Sequence, residues 1–276
     1  MTGKDRPPAG GLAMASAIKD KLRRGEPSLG SWMSMAHVSI AEILAGAGYD
    51  WVVVETEHTA IDVSEVLPLL IAIERRGAIP LVRLAWNDPI QAKAVMDSGA
   101  AGVLVPMINS REEAVRAVDA VKYPPLGQRG VGLARAQGYG EDFKEYVRTA
   151  NDNTLLLVQI EHVDAVANIS DIAKVEGIDG FYIGPYDLSL SMGIPGQIDH
   201  PDIEAAKKEV VAAALANNLA AGIHLVHPDT AASGVEAAIG DGYTFIALGT
   251  DILFLGDSAR SLQRAAAAAA AKFKRA

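Results

Sequence analysis

Along most of this 276-residue chain, short apolar runs alternate with longer segments whose apolar residues recur at helical spacing. Short apolar runs bounded by turn residues read as buried strands, and the 3.6-residue period between them reads as amphipathic helix. The strands predicted this way are Leu29–Met33, Trp51–Val54, Ile79–Leu84, Gly102–Pro106, Leu155–Ile160, Gly180–Ile183, Ala221–Leu225 and Tyr243–Leu248. Helices are predicted at Met14–Arg24, Ile40–Ala47, Asp62–Arg76, Pro89 to about Gly99, Ser110–Val121, Glu141–Ala150, Val163–Val175, Pro201–Asn217, Pro228–Ile239 and Ile252–Phe273. Asp88 reads as an N-cap with Pro89 in the first turn behind it. Strand followed by helix, eight times over this length, reads as an α/β chain folded into a (β/α)8 TIM barrel with an extra C-terminal helix. An open doubly wound sheet is the alternative, but no G-x-G-x-x-G fingerprint follows an early strand.

Three segments depart from that rhythm. Residues 1–13 are rich in Pro, Gly and charge and are expected to form a disordered leader before a single barrel domain over 14–276. Tyr123–Gly140 is too long and glycine-rich for a simple connection, which points to a functional loop. The alanine run at 265–271 is strongly helix-forming; if that helix projects, packing on a neighbouring subunit is its expected use.

Composition adds exclusions. Twenty-five basic against thirty-four acidic residues give a net charge of −9 without a basic stripe, so no nucleic-acid partner is expected. The absence of cysteine removes disulfides, thiolate metal sites and thiol nucleophiles, and fits a cytoplasmic location. No apolar run reaches ~18 residues, so no membrane partner is expected.

In a barrel of this type, chemistry sits at the carboxyl ends of the strands. Those ends carry Trp32, Glu55, Glu57, His58, Arg83, Pro106, Glu161, Asp187, His224 and Asp251. The most informative stretch is 155–193, where two apolar runs each exit into an acid: Glu161 directly, and Asp187 after the turn at Gly184-Pro185. Two carboxylates on neighbouring strands, with no adjacent Arg or Lys, suit a hard divalent cation. Either acid alone could equally cap a helix or fix a turn. Arg83, inside the otherwise apolar PLVRLAW, needs an anion if it is buried. A substrate carboxylate held through a bidentate fork would serve, as would Glu55 or Glu57. His58 enters a loop beside Glu57, and histidine is the side chain most often used as a base for proton abstraction. His224 is a candidate for lining the pocket, while His37, His162, His200 and His227 read as surface. No lysine falls at a strand end, Lys122 being helix-terminal, which argues against an imine route and for a metal-stabilised enolate.

At these residues the chain resembles the HpcH/HpaI aldolase family, the metal-dependent class II pyruvate aldolases. The similar motifs are AGAGYDWVVVETEH (45–58), VRLAWNDP (82–89), GVLVPM (102–107), YPPLGQRGVG (123–132), LVQIE (157–161) and VEGIDGFYIGPYDLSLSMG (175–193), within a likeness spanning about Leu29 to Phe254. The resemblance implies that Glu161 and Asp187 bind Mg²⁺, Mn²⁺ or Co²⁺ together with a 2-oxo acid substrate. Arg83 would hold the pyruvate oxygens and steady the enolate. His58 would act as the base, paired with Asp97 of the MDSG match. Trp32, Gln159, Gly184, Pro185 and His224 would contact substrate. The Gly130–Gly132 loop would border it across a subunit boundary, in a homohexamer of dimers that exchange a terminal helix. The chain departs from the family's usual pattern at Glu55-Thr56 (Asp-Gly), Thr59 (Ala) and Tyr186 (Ala). These changes leave the enolate residues in place and bear on the aldehyde partner. The activity implied is cleavage of 4-hydroxy-2-oxo acids to pyruvate and an aldehyde. Oxaloacetate decarboxylation or macrophomate synthase-like chemistry on the same enolate is the enzymatic alternative, and a catalytically silent ligand-binding barrel the non-enzymatic one.

Overall fold

The computed structural model describes residues 10–273, with side chains from residue 15 onward. Residues 1–9 of the expected leader lie outside the described residues, and a helix already begins at Gly10. Among the described residues eight parallel strands close in sequence order into one barrel: β1 (Ser28–Met33), β2 (Trp51–Glu55), β3 (Ile79–Arg83), β4 (Gly102–Val105), β5 (Leu155–Ile160), β6 (Gly180–Ile183), β7 (Ala220–Leu225) and β8 (Phe245–Thr250). The helices are α1 (Gly10–Arg23), α2 (Val38–Gly46), α3 (Val63–Arg75), α4 (Pro89–Asp97), α5 (Arg111–Val121), α6 (Phe143–Asn153), α7 (Val163–Ala167), α8 (Ile169–Ile172), α9 (Pro185–Ser191), α10 (Pro201–Ala216), α11 (Pro228–Gly240) and α12 (Asp251–Phe273). The (β/α)8 expectation holds. The single helix expected at Val163–Val175 is instead two short ones broken at Asn168, whose side-chain amide donates to the Asn109 carbonyl across the neighbouring loop at 2.8 Å.

The two-residue repeat of each strand sorts its side chains between two cores. Trp51 and Val53 of β2, Ile79 and Leu81 of β3, Leu155 and Leu157 of β5 and Tyr182 of β6 pack in the lumen. Val52, Val54, Val82, Leu156, Val158, Phe181 and Ile183 instead meet the helices in the outer layer. That parity continues to the strand ends. Glu55 follows Val53, Arg83 follows Leu81, and Gln159 and Glu161 follow Leu157, so all four emerge inside the barrel. The register sets Glu55 beside Arg83 and Gln159 beside Tyr182.

The amino-terminal end of the barrel is closed by α1, whose Ala15, Ile18 and Leu22 join the lumen core. Lys19 and Lys122 are buried there. Lys19 Nζ donates to the Thr154 carbonyl (3.0 Å) and pairs with Asp179 (2.9 Å); Lys122 Nζ donates to the Thr154 and Asn151 carbonyls (2.7 and 3.0 Å). Desolvation lowers Lys122 to about 8, but it sits at the wrong end of the barrel for imine chemistry.

A bulky lumen requires small residues opposite large ones. Trp51 stacks on Phe245 with ring centroids 3.9 Å apart, and a Cβ placed on Gly30 would collide with the Trp51 ring. Gly30→Ala is therefore expected to destabilise the barrel by about 3 kcal/mol through overpacking, read as a lowered urea midpoint.

Candidate active site

A cavity of about 290 Å³ opens at the carboxyl ends of the strands and is lined by Trp32, Glu55, His58, Arg83, Gln159, Glu161, Gly184, Pro185, Asp187 and His224 among others. Of the expected residues, Glu57, Asp97, Pro106, Asp251 and the Gly130–Gly132 loop are not among its lining. A larger cavity, about 460 Å³, lies at the amino-terminal end. Its buried cation, Lys19, is already held by Thr154 and Asp179.

The floor is an aromatic stack. Trp32 is buried and donates its Nε1–H to the Tyr182 hydroxyl at 3.1 Å. Its ring stacks on His224, centroids 5.4 Å apart and planes 13° apart, and carries the Arg83 guanidinium 4.6 Å from its centre. His224 Nε2 lies 2.9 Å from the Gly249 carbonyl, which can only accept, so Nε2 carries the proton. Burial pushes His224 down to about 4 and leaves it neutral at pH 7. An unfolded histidine titrates near 6.5, so between about 4 and 6.5 the unfolded chain binds the extra proton. Stability should therefore fall on acidification through that window, by up to about 3 kcal/mol from this group. His224→Phe keeps a stacked ring without the titration and is expected to flatten that part of the slope in urea melts.

Glu161 leaves β5 with its carboxylate held on both oxygens. Oε1 accepts the Met107 backbone N–H at 2.7 Å, and Oε2 accepts Gln159 Nε2 at 2.9 Å. Met107 stands at φ 54°, a left-handed conformation that turns this amide inward after β4. A Cβ on Gly184 would stand 2.7 Å from Glu161 Oε2, so the space beside that oxygen exists because residue 184 is glycine. Asp187 lies in the first turn of α9. Desolvation lifts Glu161 to about 7, with the charges of Glu57 and Asp187 adding to the effect. Glu57 is also lifted to about 7, again chiefly by desolvation and opposed by Arg83.

Arg83 is shared. Its Nη2 pairs with Glu55 and its Nη1 with Glu57 Oε2 at 3.0 Å. Of the anionic partners that its sequence position requires, the two glutamates are the ones present. Glu55 bends back onto its own loop: Oε1 accepts the backbone N–H of Glu57 (2.6 Å) and of His58 (3.2 Å). His58 stands at the outer lip, 62% exposed, with Nε2 3.8 Å from Glu57 Oε2.

The expected His58–Asp97 pair is not formed within the chain. Asp97 ends α4, and its carboxylate accepts from Arg129 Nη2 at 2.6 Å. The reason is geometric: a helix that returns antiparallel to its strand ends near the opposite face of the barrel. Arg129 is buried against Tyr123 and Tyr146, 4.7 and 5.9 Å from their ring centres, so much of the 123–140 loop is anchored structurally. Gly130–Gly132 is exposed and does not line this chain's cavity. His37, His162 and His200, expected at the surface, cap α2, α7 and α10, each accepting a backbone N–H through Nδ1.

Two site residues escaped the sequence reading. Tyr182 had a usable signal, since its parity places it inside β6. Met107 had none, because it contributes a backbone amide whose direction depends on the turn.

Three carboxylates (Glu55, Glu161 and Asp187) thus share the cavity with one arginine among its described lining residues, and Glu57 reaches that arginine from just outside it. Gln159 Oε1 is buried there without a hydrogen-bond partner. An all-oxygen donor set short of positive charge, with space beside Glu161, fits a hard dication. No three described His, Asp or Glu side chains converge as a complete ligand set, so two carboxylates with water and substrate oxygens is the arrangement these residues allow.

The family model described as HpcH/HpaI aldolase/citrate lyase matches residues 28–256. The 4-hydroxy-2-oxo-heptane-1,7-dioate aldolase of Salmonella typhimurium is 41% identical over 251 residues, 90% of this chain and 94% of the relative. Among solved structures, a HpcH/HpaI aldolase/citrate lyase family protein from Burkholderia cenocepacia superposes with a TM-score of 0.84 at 34% identity, covering 91% of this chain and 99% of that one. The HpcH/HpaI aldolase from Desulfitobacterium hafniense gives a TM-score of 0.81 at 30% identity, over 90% and 95% of the two chains.

Proposed function

Because this chain belongs to the HpcH/HpaI aldolase/citrate lyase family, we propose that it is a metal-dependent aldolase cleaving 4-hydroxy-2-oxo acids to pyruvate and an aldehyde. The observation that carries this reading is the convergence of Glu161, Asp187, Arg83 and His58 on one cavity, with no lysine among its described lining residues. Glu161 and Asp187 would hold Mg²⁺, Mn²⁺ or Co²⁺. Such an ion, when bound, supplies Lewis-acid polarisation of the substrate's 2-oxo group.

The chain's own residues do the rest. Arg83, backed by the Trp32 face and fixed by two glutamates, presents a rigid donor fork to the oxygens of the three-carbon fragment. Gln159 keeps the Glu161 carboxylate in one orientation. His58, free at the lip, takes the proton of the 4-hydroxyl as the C3–C4 bond breaks. The bonding pair passes to C3 and is delocalised onto the 2-oxo oxygen as an enolate, while C4 leaves as the aldehyde. Protonation at C3 then gives pyruvate. Neutral His224 and protonated Tyr182 add no charge to the floor beneath this fragment.

Pyruvate release from a 4-hydroxy-2-oxo acid is expected to stop on EDTA treatment and return on adding Mn²⁺. Borohydride with pyruvate should leave activity intact. Full activity in EDTA, or inactivation by borohydride, would overturn the reading. We also propose a homohexamer, on the ground that α12 leaves Leu255, Leu262 and Phe273 exposed; light scattering on the intact protein tests it.

A further inference from the structure

The cavity is electrostatically two-sided. Strands β2, β3 and β5 bring Glu55, His58, Arg83 and Glu161 to one side, which accounts for the pyruvate half of the substrate. Going on round the barrel, β6, β7, β8 and β1 are consecutive neighbours. Their ends bring Tyr186, Val226, Ile252 and Ser34 to the other side of the same cavity. Asp187, also after β6, belongs electrostatically with the acids, since its charge raises both Glu57 and Glu161. Tyr186 is 43% exposed and Ile252 49%, so both offer apolar surface to a ligand.

This second arc is hostile to an anion. Arg83 is the one lysine or arginine among the described lining residues, and it stands on the other side, where the pyruvate half would take its donors. Asp251 lies buried directly behind the arc. Its carboxylate accepts the backbone N–H of Ser34 (2.9 and 3.0 Å), Met35 (2.9 Å) and Ile252 (2.8 Å). Those bonds fix the position of the Asp251 carboxylate beneath the surface on which the aldehyde tail would lie.

Resting on the aldolase reading, we propose that the aldehyde half of this enzyme's substrate carries a neutral, apolar tail seated on Tyr186, Val226 and Ile252, and that a tail ending in a carboxylate is disfavoured. The chain would then differ in substrate class from its 41%-identical relative, whose name specifies a 1,7-dioate. Besides the Ser34 and Thr250 hydroxyls, a carboxylated tail would meet apolar surface and no cation, with no donor fork to replace its water. A neutral tail gains apolar burial against the Tyr186 ring.

The test runs the reaction toward carbon–carbon bond formation, with the full-length Mn²⁺-loaded enzyme and pyruvate. The two aldehydes compared are 4-methylpentanal and 4-oxobutanoate, which have the same shape but carry an isopropyl group or a carboxylate at the far end. The neutral aldehyde is expected to have the higher kcat/KM by about tenfold or more; a smaller ratio overturns the proposal. Tyr186→Arg is expected to cut that ratio at least about tenfold, chiefly by lowering KM for 4-oxobutanoate. An unchanged ratio overturns the seating of the tail on this arc. Should that variant not fold, Ile252→Arg on the next-but-one strand end makes the same test. Deuterium exchange at the pyruvate methyl group needs no aldehyde and keeps the two readings apart. Absence of exchange sinks the enolate reading, whereas exchange with the opposite aldehyde preference sinks this proposal alone.

Discussion

Glu161→Gln is expected to lower metal-supported turnover by roughly 10²–10³-fold or more, the range for losing one preorganised charge-stabilising contact, while the barrel stays folded. The substitution keeps the side chain's volume and an oxygen for the Met107 N–H, and removes the charge. Folding should tolerate this well, because desolvation already lifts the Glu161 carboxyl to about 7 in the metal-free protein. What the variant loses is the anionic oxygen that would bind the cation. Titration with Mn²⁺ monitored by electron paramagnetic resonance, beside circular dichroism on the same sample, separates the two effects. Near-normal turnover with Mn²⁺ in the folded variant would remove Glu161 from the chemistry.

Arg83→Ala should combine a comparable loss of rate with a large loss of stability. In a buried ion pair, removing one partner commonly costs about 3–5 kcal/mol, because the other charge is left uncompensated. Here two carboxylates are left, Glu55 and Glu57, in a lumen that already penalises charge. Adding Glu55→Gln to Arg83→Ala should recover part of the stability and none of the activity. That double-mutant cycle is the measurement that assigns the ion pair to folding and the guanidinium to substrate. Arg83→Lys should sit between, since an ammonium keeps the charge but lacks the planar fork that reaches both glutamates at once. An Arg83→Ala protein as stable as the parent would show that the pair contributes nothing net to the fold.

Much of the site is legible in the sequence. Glu161, Asp187, Arg83, His58, Trp32 and His224 were all found by asking which residues leave the carboxyl ends of the apolar runs, and all line one cavity. A partner that lies across the fold leaves no local signal. Asp97, assigned by motif to His58, is bound to Arg129 from a loop thirty-two positions away. The departure at Glu55 was expected to bear on the aldehyde partner. Its carboxylate instead holds the loop that carries His58 and shares Arg83. A motif records which residues occur together, not which atoms they bond.

The chain's periodicities alone determined the barrel, the direction of its strands and the parity that aims Glu55, Arg83, Gln159 and Glu161 inward, because side-chain alternation is a property of a single strand and needs no neighbour. Closure of the barrel decided the rest. It put Trp32 between His224 and Arg83, brought the Met107 amide onto Glu161, and gathered Glu55, Glu161 and Asp187 into one cavity with Arg83. Those contacts join strands far apart in the chain, so they depend on register and curvature summed around the whole sheet, which no local pattern encodes.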